Sequence, residues 1–155
     1  MNELTNLKKF IFNAKQHTYA SSKDGDEIIN DDRSYEFKYQ DKEFLYRDRY
    51  FGIDPFTGQE VVYYKNSPVW CMNYYGYTLE NSKFRNEIFI FLKTALIQLN
   101  ENYPFRGIDN LRIGKFQYIN KYKGDLLRFS GHEVIYYEKR IVYYLDYFGG
   151  EIKDQ

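Results

Sequence analysis

Residues 56–76, FTGQEVVYYKNSPVWCMNYYG, return without a gap as residues 129–149, FSGHEVIYYEKRIVYYLDYFG, at a constant offset of 73 positions. Nine of the 21 aligned positions are identical, and most other differences keep size or chemistry: Thr57/Ser130, Val62/Ile135, Met72/Leu145, Asn73/Asp146, Tyr75/Phe148. A repeat of this kind predicts two copies of one supersecondary unit that share a core, so any site is shaped by internal symmetry.

The rest of the pattern extends the unit. Leu4, Leu7, Ile11 and Ala14 recur at helical spacing beside Phe10, predicting an amphipathic helix over about 3–15. Residues 21–34 are polar and acidic and are expected to form a loop. From Tyr35 the period changes to two: Tyr35-Phe37-Tyr39 and Phe44-Tyr46-Asp48-Tyr50 alternate across a turn near Gln40-Asp41-Lys42, as a hairpin requires. Gly52-Ile53-Asp54-Pro55 ends that run. Between the repeats, Phe84, Ile88, Phe91, Leu92, Ala95 and Leu99 form a helical stripe followed by Pro104; Phe89, Ile90 and Ile97 lie off it, so this helix is expected to be covered on more than one side. Residues 116–118 and 125–128 supply two further short strands. The expected fold is therefore α+β: a helix-plus-four-strand unit, duplicated about a pseudo-twofold axis into a curved antiparallel sheet with helices packed on it. One domain over 1–155 is expected, with halves at about 3–80 and 81–150.

Two-residue turns at Asn66-Ser67 and Lys139-Arg140 give both repeats one register. That register pairs Tyr64 with Val69, Val62 with Cys71 and Glu60 with Asn73; in the other copy it pairs Tyr137 with Val142, Ile135 with Tyr144 and Glu133 with Asp146. One face then holds Val61, Tyr63, Trp70, Met72 and Tyr74 with their counterparts, and is expected to be core. The other face holds an aromatic body, including Tyr64, Tyr137 and Tyr144, that ends in Glu60/Asn73 and Glu133/Asp146. A Glu opposite an Asp is repulsive unless a cation or a proton compensates, so this quartet is the leading candidate site. The alternative places the four at solvated strand ends. Arg47 and Arg49, two residues apart on one strand face, are candidates for clamping a phosphate or carboxylate, or else form the wet side of an outer strand.

Several classes of function lack their signature. The chain carries 22 basic and 22 acidic residues, which removes the cationic excess that non-specific nucleic-acid binding needs. One cysteine, Cys71, and two histidines, His17 and His132, argue against a disulfide or a zinc site. No GxSxG, GxxxxGK[ST] or HExxH motif is present, and no cofactor or metal is expected. Ser130-Gly131-His132 does not place a serine and a base in working geometry; Gly58 and Gly131 are expected to mark a bulge or bend. The N-terminus has no signal-peptide run and residues 88–99 are too short to span a bilayer, so a cytoplasmic protein without membrane partners is expected.

The run YRDRYFG…FTGQEVVYYKNSPVWCMNYYG, preceded by FIFNAKQHTYA, resembles a bacterial family called domain of unknown function 5680. The likeness runs from the Phe10 helix to the FSGHEVIYYE and YFGG segments, through Tyr46-x-Asp48-x-Tyr50, Phe56-x-Gly58-x-Glu60 and Trp70-x-Met72-Asn73-Tyr74. The family also looks like the C-terminal partner of helix-turn-helix regulators, and by resemblance this implies a sensor or ligand-binding role. Here the first helix is expected to begin almost at Met1, so no DNA-binding domain is expected ahead of it.

With 18 Tyr and 13 Phe, the chain has aromatics to spare for a strand-rich core and for a ligand surface. The leading expectation is a non-catalytic binder of a planar, nucleotide-like small molecule, which senses or sequesters its ligand. Tyrosines stack on it, Glu60, Asn73, Glu133 and Asp146 meet its polar edges, and Arg47 or Arg49 meets a phosphate. The alternatives are a protein-interaction module or homodimer through the second helix, then a hydrolase using Glu60 or Glu133, with nucleic-acid binding ranked last.

Overall fold

A computed structural model describes residues 3–19, 26–79 and 84–153. Helix α1 (Glu3–His17) leads to a short strand β1 (Ile28–Ile29), then β2 (Tyr35–Asp41), β3 (Phe44–Phe51), β4 (Phe56–Tyr64) and β5 (Ser67–Thr78). Helix α2 (Arg85–Ile97) precedes β6 (Asn110–Ile113), β7 (Phe116–Asp125), β8 (Arg128–Tyr137) and β9 (Arg140–Glu151). The strands form one open antiparallel sheet in the order β1-β2-β3-β4-β5-β9-β8-β7-β6, so the two hairpins of repeated sequence meet at its centre. The class is α+β.

The two repeated hairpins share a turn and an irregularity. Lys65-Asn66 and Glu138-Lys139 all have positive φ, as a two-residue type I′ turn demands. Each hairpin then carries a bulge, between Val62 and Tyr63 in one and between Ile135 and Tyr136 in the other. The turn lies one residue earlier than the sequence suggested, and the bulge absorbs only part of that shift. Val62 therefore opposes Trp70 and Glu60 opposes Met72; likewise Ile135 opposes Tyr143 and Glu133 opposes Leu145. A one-residue slip moves side chains to the other face. The buried face consequently carries Glu60, Val62, Trp70, Met72 and Tyr74, while Val61 and Tyr63 turn to the opposite face.

Other expectations change locally. Residues 125–128 are not a separate strand: Asp125 ends β7, Arg128 begins β8 and residues 126–127 connect them, and the missing strand is β6. The loop expected over 21–34 contains β1, paired to β2 through Ile28–Glu36 and Ile29–Tyr35; residues 21–25 of it lie outside the described residues. Ile90 and Ile97 of α2 remain exposed at 68% and 47%, so the described residues do not cover that helix on its second side.

Phe10, Ile11 and Ala14 of α1 and Ile88, Phe91, Leu92 and Ala95 of α2 belong to one hydrophobic cluster with Tyr46, Val62, Trp70, Tyr118, Tyr143 and Tyr147 of the sheet. Phe10 stacks on Phe44 at 4.9 Å and Phe91 on Phe116 at 5.1 Å. Trp70, fully buried, donates its indole N–H to the Leu126 carbonyl at 3.0 Å, which removes the cost of burying that donor.

Across the sheet, Tyr35, Tyr50, Gly58, Tyr74, Tyr147, Gly131 and Tyr122 stand in one row, each opposite the next. Neither glycine is at the bulge. A Cβ on Gly58 would lie 2.4 Å from the Tyr74 hydroxyl, and one on Gly131 would lie 2.4 Å from ring and hydroxyl atoms of Tyr147. The glycines thus let two tyrosine rings lie across the neighbouring strand and aim their hydroxyls beyond it. Gly58→Ala and Gly131→Ala should each destabilise the protein by about 1–3 kcal/mol, the usual cost of overpacking; urea denaturation measures this, and an unchanged midpoint would contradict the packing.

Candidate functional site

The tyrosines that cross Gly58 and Gly131 end on polar residues of the next strands. Tyr74 donates its hydroxyl to Asp48 Oδ1 at 2.6 Å, and Tyr147 donates to Asn120 Oδ1 at 2.8 Å. Asp48 stands directly opposite Glu60 on β3 and β4, and Asn120 directly opposite Glu133 on β7 and β8. All four are buried. Each glutamate has a buried cation. Lys15, in the last turn of α1, brings Nζ to 2.8 Å from Glu60 Oε2 without hydrogen-bond alignment, and donates to the Phe105 carbonyl. Arg106, in the segment after α2, donates Nε to Glu133 Oε2 at 3.1 Å and Nη2 to Oε1 at 2.7 Å.

The two clusters are not equally satisfied. Glu133 also accepts from Tyr118 at 2.6 Å and Tyr143 at 2.9 Å, so each of its oxygens receives two donors. Asn120 completes its side by donating to the Gly107 carbonyl at 3.2 Å. At Asp48 and Glu60, two carboxylates face each other where the other cluster has an amide and a carboxylate. Burial, and then the charge of Glu60, push the Asp48 carboxyl up to about 7 against the opposing pull of Tyr74, Lys15 and Arg106. Burial likewise lowers Lys15 despite Glu60. The hydroxyls of Tyr46, Tyr74, Tyr118 and Tyr143 are all pushed well above their usual range, first by burial and then by the adjacent carboxylates, so they act as donors. Burial alone would lower Arg106, but the Glu133 carboxylate more than offsets it and fixes the guanidinium as a cation.

Two cavities open on Asp48 and Arg106. The inner one, about 30 Å³, lies among Lys15, Tyr46, Glu60 and Phe105 and exceeds the roughly 10–15 Å³ that a water molecule needs. The outer one is a cleft of about 620 Å³, within the range of small-molecule sites. Tyr35, Tyr50, Phe56 and Tyr74 supply its sheet wall, and Asn86, Phe89, Ile90 and Lys93 of α2 its helix wall, with Tyr19 and Glu27 also at the surface. Asp48 and Arg106 both touch Tyr74: the carboxylate accepts its hydroxyl, while the guanidinium carbon lies 5.7 Å from the centre of its ring. The cleft therefore offers aromatic surfaces together with polar side chains, among them the acceptor Asp48 and the donor Arg106.

Most residues singled out from the sequence lie elsewhere. Glu60 lines the inner cavity and Glu133 is enclosed by Arg106 and tyrosines. The one-residue slip separates Glu60 from Asn73 and Glu133 from Asp146: Asn73 opposes Gln59 and accepts from its amide at 2.9 Å, while Asp146 opposes His132 and accepts from Tyr144 at 3.0 Å. Tyr64 donates to Glu43 at 2.9 Å, and Tyr137 packs on Phe116 at 4.9 Å. Arg47 is held by Glu36 at 2.6 Å; Arg49 binds Asp32 and, at 2.8 Å, Ser34. Asp48, Tyr50 and Arg106 were not proposed from the sequence. The signal for Asp48 was available: a carboxylate between Tyr46 and Tyr50 on an otherwise apolar strand face.

These features define an α+β protein built on one open antiparallel sheet, with paired polar clusters buried against it. The model of the family described as domain of unknown function DUF5680 matches residues 48–152, and the chain belongs to that family. No curated protein and no solved structure matches it. Among the described residues, no helix is long and apolar enough to cross a membrane.

Proposed function

We propose that the protein is a non-catalytic small-molecule binder that senses or sequesters a planar, nucleotide-like ligand in the cleft bounded by Tyr50, Phe56, Tyr74 and Phe89. The observation that carries this reading is the conjunction of aromatic side chains with Asp48 and Arg106 in the lining of one space of about 620 Å³. Aromatic surfaces favour flat rings, and the few convergent polar groups set orientation. The saturation of Glu133 supports a binding role over a catalytic one, because all four of its accepting positions are occupied by the protein's own donors.

In the same reading the chain is a single domain made of two copies of one helix-plus-four-strand unit, with the helices laid on the sheet. Support comes from the repeat offset of 73, the matched turns and bulges, and the matched contacts Tyr74–Asp48 and Tyr147–Asn120. Duplication would also explain why one cluster is closed and the other open: a binding cleft needs only one of them.

A thermal-shift screen of nucleotides, nucleosides and planar metabolites tests the proposal. A ligand at about 100 times its Kd adds about 2.7 kcal/mol, which for a chain of this size raises Tm by roughly 5–10 °C. Tyr50→Ala should weaken such a ligand by about 1–3 kcal/mol through lost stacking. A flat screen, or an affinity indifferent to Tyr50 and Phe89, would sink it.

A second reading, an interaction module or homodimer, draws on the other sheet face, where Tyr75 and Phe148 on β5 and β9 are 50% and 59% exposed, and on exposed Ile90 and Ile97. Light scattering during size exclusion decides it: a concentration-independent monomer dismisses the homodimer.

A further inference from the structure

The difference between the two polar clusters specifies more than a cleft. Asn120 and Asp48 occupy equivalent strand positions, each opposite a glutamate and each accepting from a tyrosine that crosses a glycine. At Asn120 the amide closes the cluster without a second negative charge. At Asp48 the chain retains a carboxylate beside Glu60, a repulsive arrangement that an amide would relieve without losing the tyrosine bond. Tyr74 accounts for Oδ1 alone, and Asp48 borders both cavities. Arg106 uses two of its five N–H groups on Glu133 and borders the same cleft.

Resting on the small-molecule reading above, we propose that the cleft recognises the 2-amino-4-oxopyrimidine edge shared by guanine and pterins, with Asp48 accepting from the ring N–H and the exocyclic amine and Arg106 donating to the carbonyl oxygen. An ionised carboxylate is an acceptor only, so it selects an edge with two adjacent donors. The guanidinium selects an acceptor next to them. Guanine and pterins present that order. Adenine and cytosine place a ring acceptor against the carboxylate, uracil offers a single donor, and xanthine replaces the amine with a second carbonyl. Tyr50 and Phe89 provide the stacking surfaces.

Calorimetric titration of the full chain at pH 8 with guanosine, GMP, neopterin, AMP and xanthosine tests the assignment. Guanosine and GMP, or neopterin, should bind at least tenfold more tightly than AMP, and which of the two classes binds better identifies the source of the edge. Asp48→Asn should lose roughly 10- to 100-fold toward that ligand. The same variant should gain affinity for xanthosine, because the asparagine amide donates where the carboxylate cannot. That exchange of preference is not expected of a residue with a purely structural role, and circular dichroism confirms that the variant is folded. If a screened planar ligand binds but neither the guanine compounds nor neopterin outcompetes AMP, or if Asp48→Asn leaves preference unchanged, the edge assignment fails while the binding reading stands. If no compound of any class binds, both fail.

Discussion

Replacing Glu133 with alanine should destabilise the protein by about 3–5 kcal/mol, the cost of stranding a buried cation. The carboxylate is fully buried and is the common acceptor of Arg106, Tyr118 and Tyr143. Its removal leaves a guanidinium and two hydroxyls facing a cavity with no acceptor, and each of those donors carries its own desolvation penalty. Glu133→Gln should be milder but still clearly destabilising, since the amide keeps one acceptor oxygen and loses the charge that holds Arg106. Urea denaturation of the two variants gives the order. Equal stability of Glu133→Ala and the wild type would show that Arg106 has another partner, contrary to the description here. The arginine would also be free to swing from the cleft wall, so the loss of stability and the loss of ligand should appear together.

Asp48→Asn should act in the opposite direction and stabilise the protein by up to about 4 kcal/mol above neutral pH. The folded carboxyl is raised from 3.8 to about 7. Between those two values the folded protein holds a proton that the unfolded chain has released, so wild-type stability falls as pH rises through this window. Above about 7 the cost is complete and constant; below about 4 it vanishes. The groups that set this balance are Glu60 on β4, Lys15 on α1, Tyr74 on β5 and Arg106 after α2. The variant should therefore match the wild type near pH 4, exceed it increasingly up to pH 7, and keep a constant advantage beyond. Paired denaturation curves from pH 4 to 9 measure this. A variant less stable than the wild type at pH 8 would mean that Lys15 and Arg106 overcompensate the two carboxylates. Stabilisation by asparagine here, coupled to altered binding, is the pattern of a residue retained for its ligand at the expense of the fold.

Much of this architecture was legible in the sequence because it rests on periodicity. Ile11 and Ala14 of the α1 stripe, with Phe10 beside them, are buried while Leu4 stays 37% exposed; Ile88, Phe91, Leu92 and Ala95 of α2 are buried, and the alternation in β2 and β3 puts Phe37, Tyr46 and Asp48 in the interior. The site was not legible to the same degree, for two physical reasons. In a strand the face of every residue depends on register, and register here is set by Lys65-Asn66 and Glu138-Lys139 at positive φ together with a bulge one turn away. Lysine and glutamate are weak signals for such a turn, so the expected register was one residue off and joined Glu60 to Asn73 instead of to Met72. The second reason is that the key contacts are distant in sequence. Arg106 reaches Glu133 across 27 positions and Lys15 reaches Glu60 across 45, from segments whose own pattern says nothing about where their cations go. The carboxylate pair expected from the sequence, Glu133 with Asp146 on β8 and β9, is separated by the slip; the facing carboxylates are instead Asp48 and Glu60 on β3 and β4.

Everything proposed above depends on a small planar molecule occupying the cleft between α2 and the Tyr50–Tyr74 region of the sheet. Native mass spectrometry of the protein purified from cells, followed by denaturation and analysis of what is released, tests it most directly. A bound species of a few hundred daltons is expected, released on unfolding and depleted in Tyr50→Ala and Asp48→Asn preparations that remain folded. A clean unliganded mass, unchanged after exposure of the protein to a total metabolite extract, would contradict it.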